Sequence, residues 1–245
     1  MHPILFRLGP LTFYSYGFMI AAGFWAASFV LSRRAVQLGW DPGRIQNVAL
    51  VALLAGLVGA RIFYVLAEWE SFQFNWLEIF RLDHGGLVYF GGLVGGLAGG
   101  LVAARAYRFP LLKAADCFMP PLVLAHAFGR VGCFLNGCCY GRYTTLPVGV
   151  KFPNLGEWPR HPTQLYEAVF LLALFFFLRR LDQRDPKPGT VVLAYGLLYG
   201  IWRFLIEFLR GDNLPVAMNL TLFQWISVGL MAVCVPLLLL RLLKK

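Results

Sequence analysis

The sequence predicts an all-α polytopic membrane protein with seven transmembrane helices, and three observations carry that prediction. The 245-residue chain is 59% apolar and 14% charged, with a mean hydropathy of +0.65, where a soluble domain runs about 45–50% apolar and about 25% charged. The apolar residues gather into stretches close to the roughly 20 residues that cross a bilayer as helix. Lys and Arg fall unevenly on alternate sides of those stretches, as insertion orientation requires. A soluble enzyme, a disordered chain and a fibrous repeat are excluded. The 22 Lys and Arg against 12 Asp and Glu would suggest nucleic acid on a soluble chain. Here they mark cytoplasmic loops and anionic membrane lipid, and no nucleic-acid partner is expected.

The candidate spans run at about 14–31, 47–67, 87–107, 114–136, 164–179, 190–209 and 219–241. The first is too long for the apolar core of a cleavable signal and is stopped by Arg33-Arg34, so it reads as an uncleaved anchor. The second carries Arg61. The third carries the glycine-rich run GGLVGGLAGG at 91–100. Such small residues admit close helix packing, or line a groove wide enough for acyl chains. The fourth is the weakest, because Pro120 and Pro121 interrupt it and His126 and Arg130 sit in its second half. The fifth is short and very apolar, the sixth follows a tight turn at Pro186, Pro188 and Gly189, and the seventh contains Pro236. The expected organisation is a single transmembrane domain over 1–245. It carries a loop subdomain on the outer side, with its substantial loops at about 68–86 and 137–163.

Thirteen of the 22 Lys and Arg follow spans one, three, five and seven; six lie on the opposite side, and Arg61, Arg130 and Arg203 lie within spans. The positive side faces the cytoplasm, which puts the N-terminus outside and the C-terminus inside.

Ionisable side chains inside a bilayer cost about 2.5–3.5 kcal/mol each on insertion scales and generally face a polar interior. Arg61, His126, Arg130, Arg203 and Glu207 all fall within spans. Arg203 and Glu207, four apart on one face, suit an ion pair that fixes helix register. Three intramembrane arginines together point to a ligand. Arginine keeps its charge and grips phosphate oxygens bidentately, so a phospholipid head group is the expected ligand. The densest polar run is HAFGRVGCFLNGCCYGR at 126–142, whose glycines let backbone N–H groups approach a ligand. RHPTQLYE at 160–167 opens the fifth span, with Pro162 as a helix-start signal. YGIWRFLIEFLRGD at 199–212 places Tyr199 and Arg203 one turn apart.

At these residues the chain resembles the bacterial prolipoprotein diacylglyceryl transferase family. The matching pieces are Tyr16-Gly17, Gly59-Ala-Arg61, GGLVYFGGLVGG in the third span, and the run from Gly129-Arg130 through Gly132, Phe134, Asn136 and Gly137 to Gly141. HPTQLYE and the sixth-span motif YGxxRFxxEFxR follow in family order. The resemblance implies transfer of the diacylglyceryl group of phosphatidylglycerol to the thiol of a lipobox cysteine in a preprolipoprotein signal peptide, with glycerol phosphate leaving. It implies no metal and no organic cofactor, and a multi-pass place in the bacterial cytoplasmic (inner) membrane. Arg130 corresponds to the family's signature arginine and is assigned to the phosphate. Arg203 corresponds to a second phosphate or gating ligand. Tyr16, Asn136, Gly141 and Glu207 match functional positions, and Tyr199 and Arg61 join the substrate-binding set. Arg130, Arg203 and Tyr16 are expected to line one cavity near the outer face. The alternatives are a divergent, non-catalytic lipid-binding protein of the same fold and a small-molecule transporter. Transport lacks the inverted repeat and paired broken helices it usually needs.

Two departures from the family pattern bear on mechanism. Phe90 occupies the place of a histidine proposed to activate the thiol, and Cys133 and Cys138 replace an asparagine and a glutamate. A cysteine near its reference pKa of about 8.5 is already a few per cent thiolate at neutral pH, and a cation such as Arg130 raises that fraction. Substitute bases are His126, His161 and His84, with His161 the first choice as a third catalytic residue; it also reads as a helix-start residue bonding backbone. The C-x4-C-C spacing of Cys133, Cys138 and Cys139 matches no standard zinc or iron–sulfur pattern, so no metal ligand is assigned. A Cys133–Cys138 disulfide and plain packing both remain open. Cys117 and Cys234 read as span residues.

Overall fold

The computed structural model describes residues 1–9, 11–73, 76–81 and 85–243. Among them are seven helices of 18 residues or more. These are α1 (Ser15–Gln37), α2 (Pro42–Ala67), α4 (Tyr89–Ala106), α5 (Leu111–Asn136), α6 (Thr163–Gln183), α7 (Thr190–Glu207) and α8 (Leu222–Leu243), with a one-turn α3 (Trp69–Phe72) after α2. All but α6 are long and apolar enough to cross a membrane. Helix α6 carries Glu167, Arg179, Arg180 and Asp182 on an otherwise apolar sequence. Large apolar side chains such as Trp25, Leu97, Val169 and Phe176 are exposed, as lipid-facing positions are.

Helix α1 runs six residues beyond the expected span end. The apolar stretch ends at Arg33 and Arg34 while the helix itself continues, and Arg34 lies in its last turn, where a cation suits the carbonyl end of the helix dipole. Helix α5 is continuous through Pro120 and Pro121. Both prolines are buried, and neighbouring packing in membrane helices compensates the missing N–H groups. The interruption expected from sequence is therefore corrected.

The chain divides into two compact units, Met1–Val30 with Ala115–Lys245, and Leu31–Ala114. In the second unit Asp41 caps α2 by accepting the Gly43 N–H at 2.8 Å, with Pro42 opening the helix. The α2 and α4 backbones touch. A Cβ on Gly91 would lie 2.4 Å from Gly59 O, and one on Gly95 2.4 Å from Ala55 O. The glycine stripe is thus consumed in helix packing, the first of its two readings.

In the first unit, β1 (Ile4–Leu8) and β2 (Leu11–Tyr14) form an antiparallel hairpin with Phe6 stacked on Phe13. Sequence reading missed it, because a two-stranded ribbon this short leaves almost no periodic signal. The hairpin is tied to α5 through the His2 N–H, which bonds Leu135 O at 3.1 Å. The core gathers Val123 and Ala127 of α5, Leu171, Leu174, Phe175 and Leu178 of α6, and Val191 and Ala194 of α7. Buried Asp116 of α5 accepts the N–H groups of Gly189 (2.6 Å) and Val192 (2.9 Å), satisfying the start of α7. A second hairpin, β3 (Pro215–Ala217) and β4 (Leu220–Thr221), turns through Met218 and Asn219, both at positive φ.

Candidate functional site

Helix periodicity puts His126 and Arg130 on one face of α5, four residues apart. Glu167 enters one turn into α6, as the Pro162 start signal implied, and Tyr199 faces it from α7. The three helices meet at the Glu167 carboxylate. Arg130 Nε lies 3.0 Å from its Oε2, the Tyr199 hydroxyl donates to its Oε1 at 2.9 Å, and His126 Nε2 is 3.8 Å from the same oxygen. The Arg130 approach is off the N–H axis, so it is an ion pair rather than an aligned hydrogen bond. His126 packs edge-on against Tyr199, with ring centroids 5.5 Å apart. The Glu167 side chain is 2% exposed and that of Arg130 16%. The carboxylate is therefore sealed in, while the guanidinium keeps an accessible part.

A second cluster sits at the end of α7. Arg203 Nη1 is 2.7 Å from Glu207 Oε2, and the guanidinium lies over Phe223 at 4.5 Å. Glu207 Oε1 accepts from Asn213 (2.6 Å) and Thr221 (2.8 Å). Arg210 lies 3.9 Å from Glu207 and grips Asp212 with both Nε (2.9 Å) and Nη2 (2.6 Å). Each cluster balances its formal charge when His126 is neutral, which is what makes such groups tolerable in an apolar surround.

The loop after α5 is stitched to both clusters. Thr163 Oγ1 donates to Cys139 O at 2.9 Å, and Gln164 Nε2 to Cys138 O at 2.6 Å. The Gly141 N–H bonds His161 O, and the Arg142 N–H bonds Leu209 O. Gly141 is wedged between these strands. A Cβ there would lie 2.6 Å from His161 Cβ and 2.7 Å from Leu209 O, so close approach demands glycine. Arg160 stacks on Tyr143 at 4.0 Å and on Tyr140 at 4.9 Å.

The structure distributes the sequence-derived residues as follows. Arg130 and Tyr199 meet at Glu167. Tyr16 packs on Gly132, two residues beyond Arg130 in α5, with a Cβ there 3.2 Å from the Tyr16 ring. Arg203 and Glu207 form the second cluster, and His126 lies within electrostatic range of both Arg130 and Arg203. Asn136 is exposed at the end of α5. His161 Nδ1 is 3.2 Å from the Tyr166 hydroxyl, and its backbone groups hold Gly141, Arg142 and Thr163. His84 lies outside the described residues. Phe90, at the start of α4, packs edge-on against Tyr89.

Arg61 belongs to the second unit and has a different task. Its Nε donates to Ile79 O, its Nη1 to Gly85 O and Gly86 O, and its Nη2 to Glu78 O and Arg81 O. A guanidinium has five N–H groups, so none is left for a phosphate. The geometry makes Arg61 a clasp on the loop after α2 rather than a substrate ligand. Sequence reasoning also passed over Glu167, Arg210 and Asp212 as site residues. The signal for Glu167 was present, a lone carboxylate early in an apolar span. Arg210 closes the sixth-span motif YGxxRFxxEFxR and Asp212 ends the run at 199–212, but the motif alone gave neither a role.

The prolipoprotein diacylglyceryl transferase family model matches residues 3–240. A Clostridium tetani protein named phosphatidylglycerol–prolipoprotein diacylglyceryl transferase is 37% identical over 232 residues, 93% of each chain. Proteins of the same name from Geobacter sulfurreducens and Nitratidesulfovibrio vulgaris are 38% identical over 217 residues and 34% over 244. They cover 85% and 98% of this chain and 82% and 92% of their own. With this match running nearly end to end, the chain belongs to the prolipoprotein diacylglyceryl transferase family.

Proposed function

We propose that this protein transfers the diacylglyceryl group of phosphatidylglycerol to the lipobox cysteine of a preprolipoprotein. The thiolate sulfur forms a bond to the glycerol carbon, the carbon–oxygen bond to phosphate breaks, and glycerol phosphate leaves with the electron pair. The observation that carries this reading is the Arg130–Glu167 pair. A buried carboxylate fixes the guanidinium in place while part of the cation remains accessible, a preorganised charge suited to a departing phosphate. Family membership and the names of the relatives support the same chemistry.

The remaining parts follow. Helix α6 completes a seven-span bundle despite its charges, with the N-terminus outside and the C-terminus in the cytoplasm of the bacterial inner membrane. The loops at 68–86 and 137–163 lie on the outer side of a single transmembrane domain. Arg203 serves as a second phosphate or gating cation, and Tyr16 and Asn136 bond glycerol or phosphate oxygens. Tyr199, whose one hydroxyl proton goes to Glu167, accepts from a glycerol hydroxyl. Gly141 and Glu207 shape the site. With Phe90 where the family carries a histidine, the substrate thiol ionises beside Arg130, and His161 or His126 takes the proton.

The test is transfer of labelled diacylglyceryl from phosphatidylglycerol to a lipobox peptide by the purified protein in detergent. Wild type should be active, and Arg130→Ala should lose at least about 100-fold, the usual effect of removing a charge-stabilising group. Loss with His161→Ala in folded protein makes His161 the base. Retention leaves His126 or spontaneous ionisation. An inactive wild type, or an active Arg130→Ala, overturns the reading.

A further inference from the structure

The sequence spacing C-x4-C-C resembles no metal motif, yet the fold draws the three thiols together. Helix α5 ends in a Schellman cap. The Cys138 N–H bonds Cys133 O at 3.1 Å and the Gly137 N–H bonds Phe134 O at 3.1 Å, with Gly137 at φ +80°. The chain then turns again at Cys139, at φ +61°. This double reversal returns residues 138 and 139 onto the last turn of α5, and Thr163 and Gln164 hold both carbonyls in place. As a result the Sγ atoms of Cys133, Cys138 and Cys139 all lie within 4.8 Å of one another, and all three cysteines are free thiols.

We propose that Cys133, Cys138 and Cys139 form a binding site for one thiophilic closed-shell cation, of the zinc(II) or copper(I) class. A metal–sulfur bond of about 2.3 Å sets neighbouring sulfurs about 3.8 Å apart, within the observed envelope. Thiolate sets select these soft cations over magnesium or calcium. Three thiolates around zinc(II) leave one negative charge and around copper(I) two. Arg210 and Arg130, each also paired with a carboxylate, are the cations that act on Cys139. Binding displaces the thiol protons to solvent. Zinc(II) would complete its four-coordinate shell with water, whereas copper(I) is satisfied by three sulfurs. Occupation would also pin the turn next to Asn136. The proposal does not depend on the transferase reading.

The full chain in detergent, reduced with a phosphine and freed of metal by a chelator, is titrated with zinc(II) and, under nitrogen, with copper(I). Cadmium(II) serves as the probe for sulfur-to-metal charge-transfer absorbance. One equivalent is expected, with single Cys→Ser changes at 133, 138 and 139 each weakening binding by more than the roughly 10–100-fold that loss of an outer-shell partner costs. Cys117→Ser and Cys234→Ser should bind as wild type. Greater uptake of one cation than the other identifies the occupant. Stoichiometry and charge-transfer bands equal to those of a Cys133, Cys138, Cys139 triple serine variant would overturn the proposal. So would reduced wild type that takes up no metal and instead forms a Cys133–Cys138 disulfide in air, detected by peptide mapping.

Discussion

The Tyr199 hydroxyl donates to Glu167 Oε1 across 2.9 Å while Arg130 stands 3.0 Å from the other carboxylate oxygen. One buried acid therefore fixes two groups from two different helices. Arg130 is aimed by a residue 37 positions further along the chain, and its orientation depends on how α5, α6 and α7 pack.

Glu167→Gln keeps the shape of that acid and removes its charge. Breaking one side of a buried pair costs about 3–5 kcal/mol. The partial exposure of Arg130 puts the expected loss at the low end. Thermal unfolding in detergent should show the drop. The transfer assay on the folded fraction should show a lower kcat, because the guanidinium is no longer held.

Gly141→Ala introduces a methyl group 2.6–2.9 Å from His161 and Leu209 atoms, two of them backbone oxygens. Neither strand can retreat without breaking the Gly141–His161 and Arg142–Leu209 bonds. Overpacking of this kind costs about 1–3 kcal/mol. Hydrogen exchange should show faster opening of the segment 141–161, with the α2–α4 pair unchanged.

Arg61→Ala removes the side-chain donor from carbonyls at Ile79, Arg81, Gly85 and Gly86, and leaves Glu78 O with the Arg81 N–H alone. Each buried unpaired acceptor costs about 1–3 kcal/mol, less where water reaches it. Stability should fall markedly. The KM for phosphatidylglycerol, measured on folded protein, should stay near wild type. A large rise in KM with unchanged stability would restore Arg61 to the lipid site.

Cys139 should react with iodoacetamide as a thiolate at pH 6, where an ordinary thiol near pKa 8.5 is almost wholly protonated. The sign follows from a pKa lowered by hydrogen bonds from Cys133 and Cys138 and by Arg210 and Arg130. The charged form persists as pH falls, until pH passes below the lowered value. Cys133→Ala should move the midpoint of alkylation upward, since it removes the first of those donors. Rates read by mass spectrometry between pH 5 and 9 decide it.

The membrane-spanning helices were legible because insertion into lipid writes itself into composition. Long apolar stretches and the Lys/Arg asymmetry survive any rearrangement of neighbours. Six of the seven helices meet the length and hydropathy a span needs, and helix starts such as Pro42 and Thr163 followed local capping and proline rules. Pro120-Pro121 was misread because propensity describes an isolated helix, while a buried helix draws on its neighbours.

The sequence by itself determined that three arginines lie in apolar spans and that a family motif surrounds Arg130. It could not say which arginine is free to meet a ligand, because a guanidinium's partners are set by distance in space. Only the tertiary structure decided that Arg61 is saturated by carbonyls while Arg130 is held by a single carboxylate. Only the double reversal at Gly137 and Cys139 decided that three cysteines with no motif share one small volume. Local patterns record how each segment meets lipid or water. Convergence of side chains from separate helices is recorded nowhere until those helices pack.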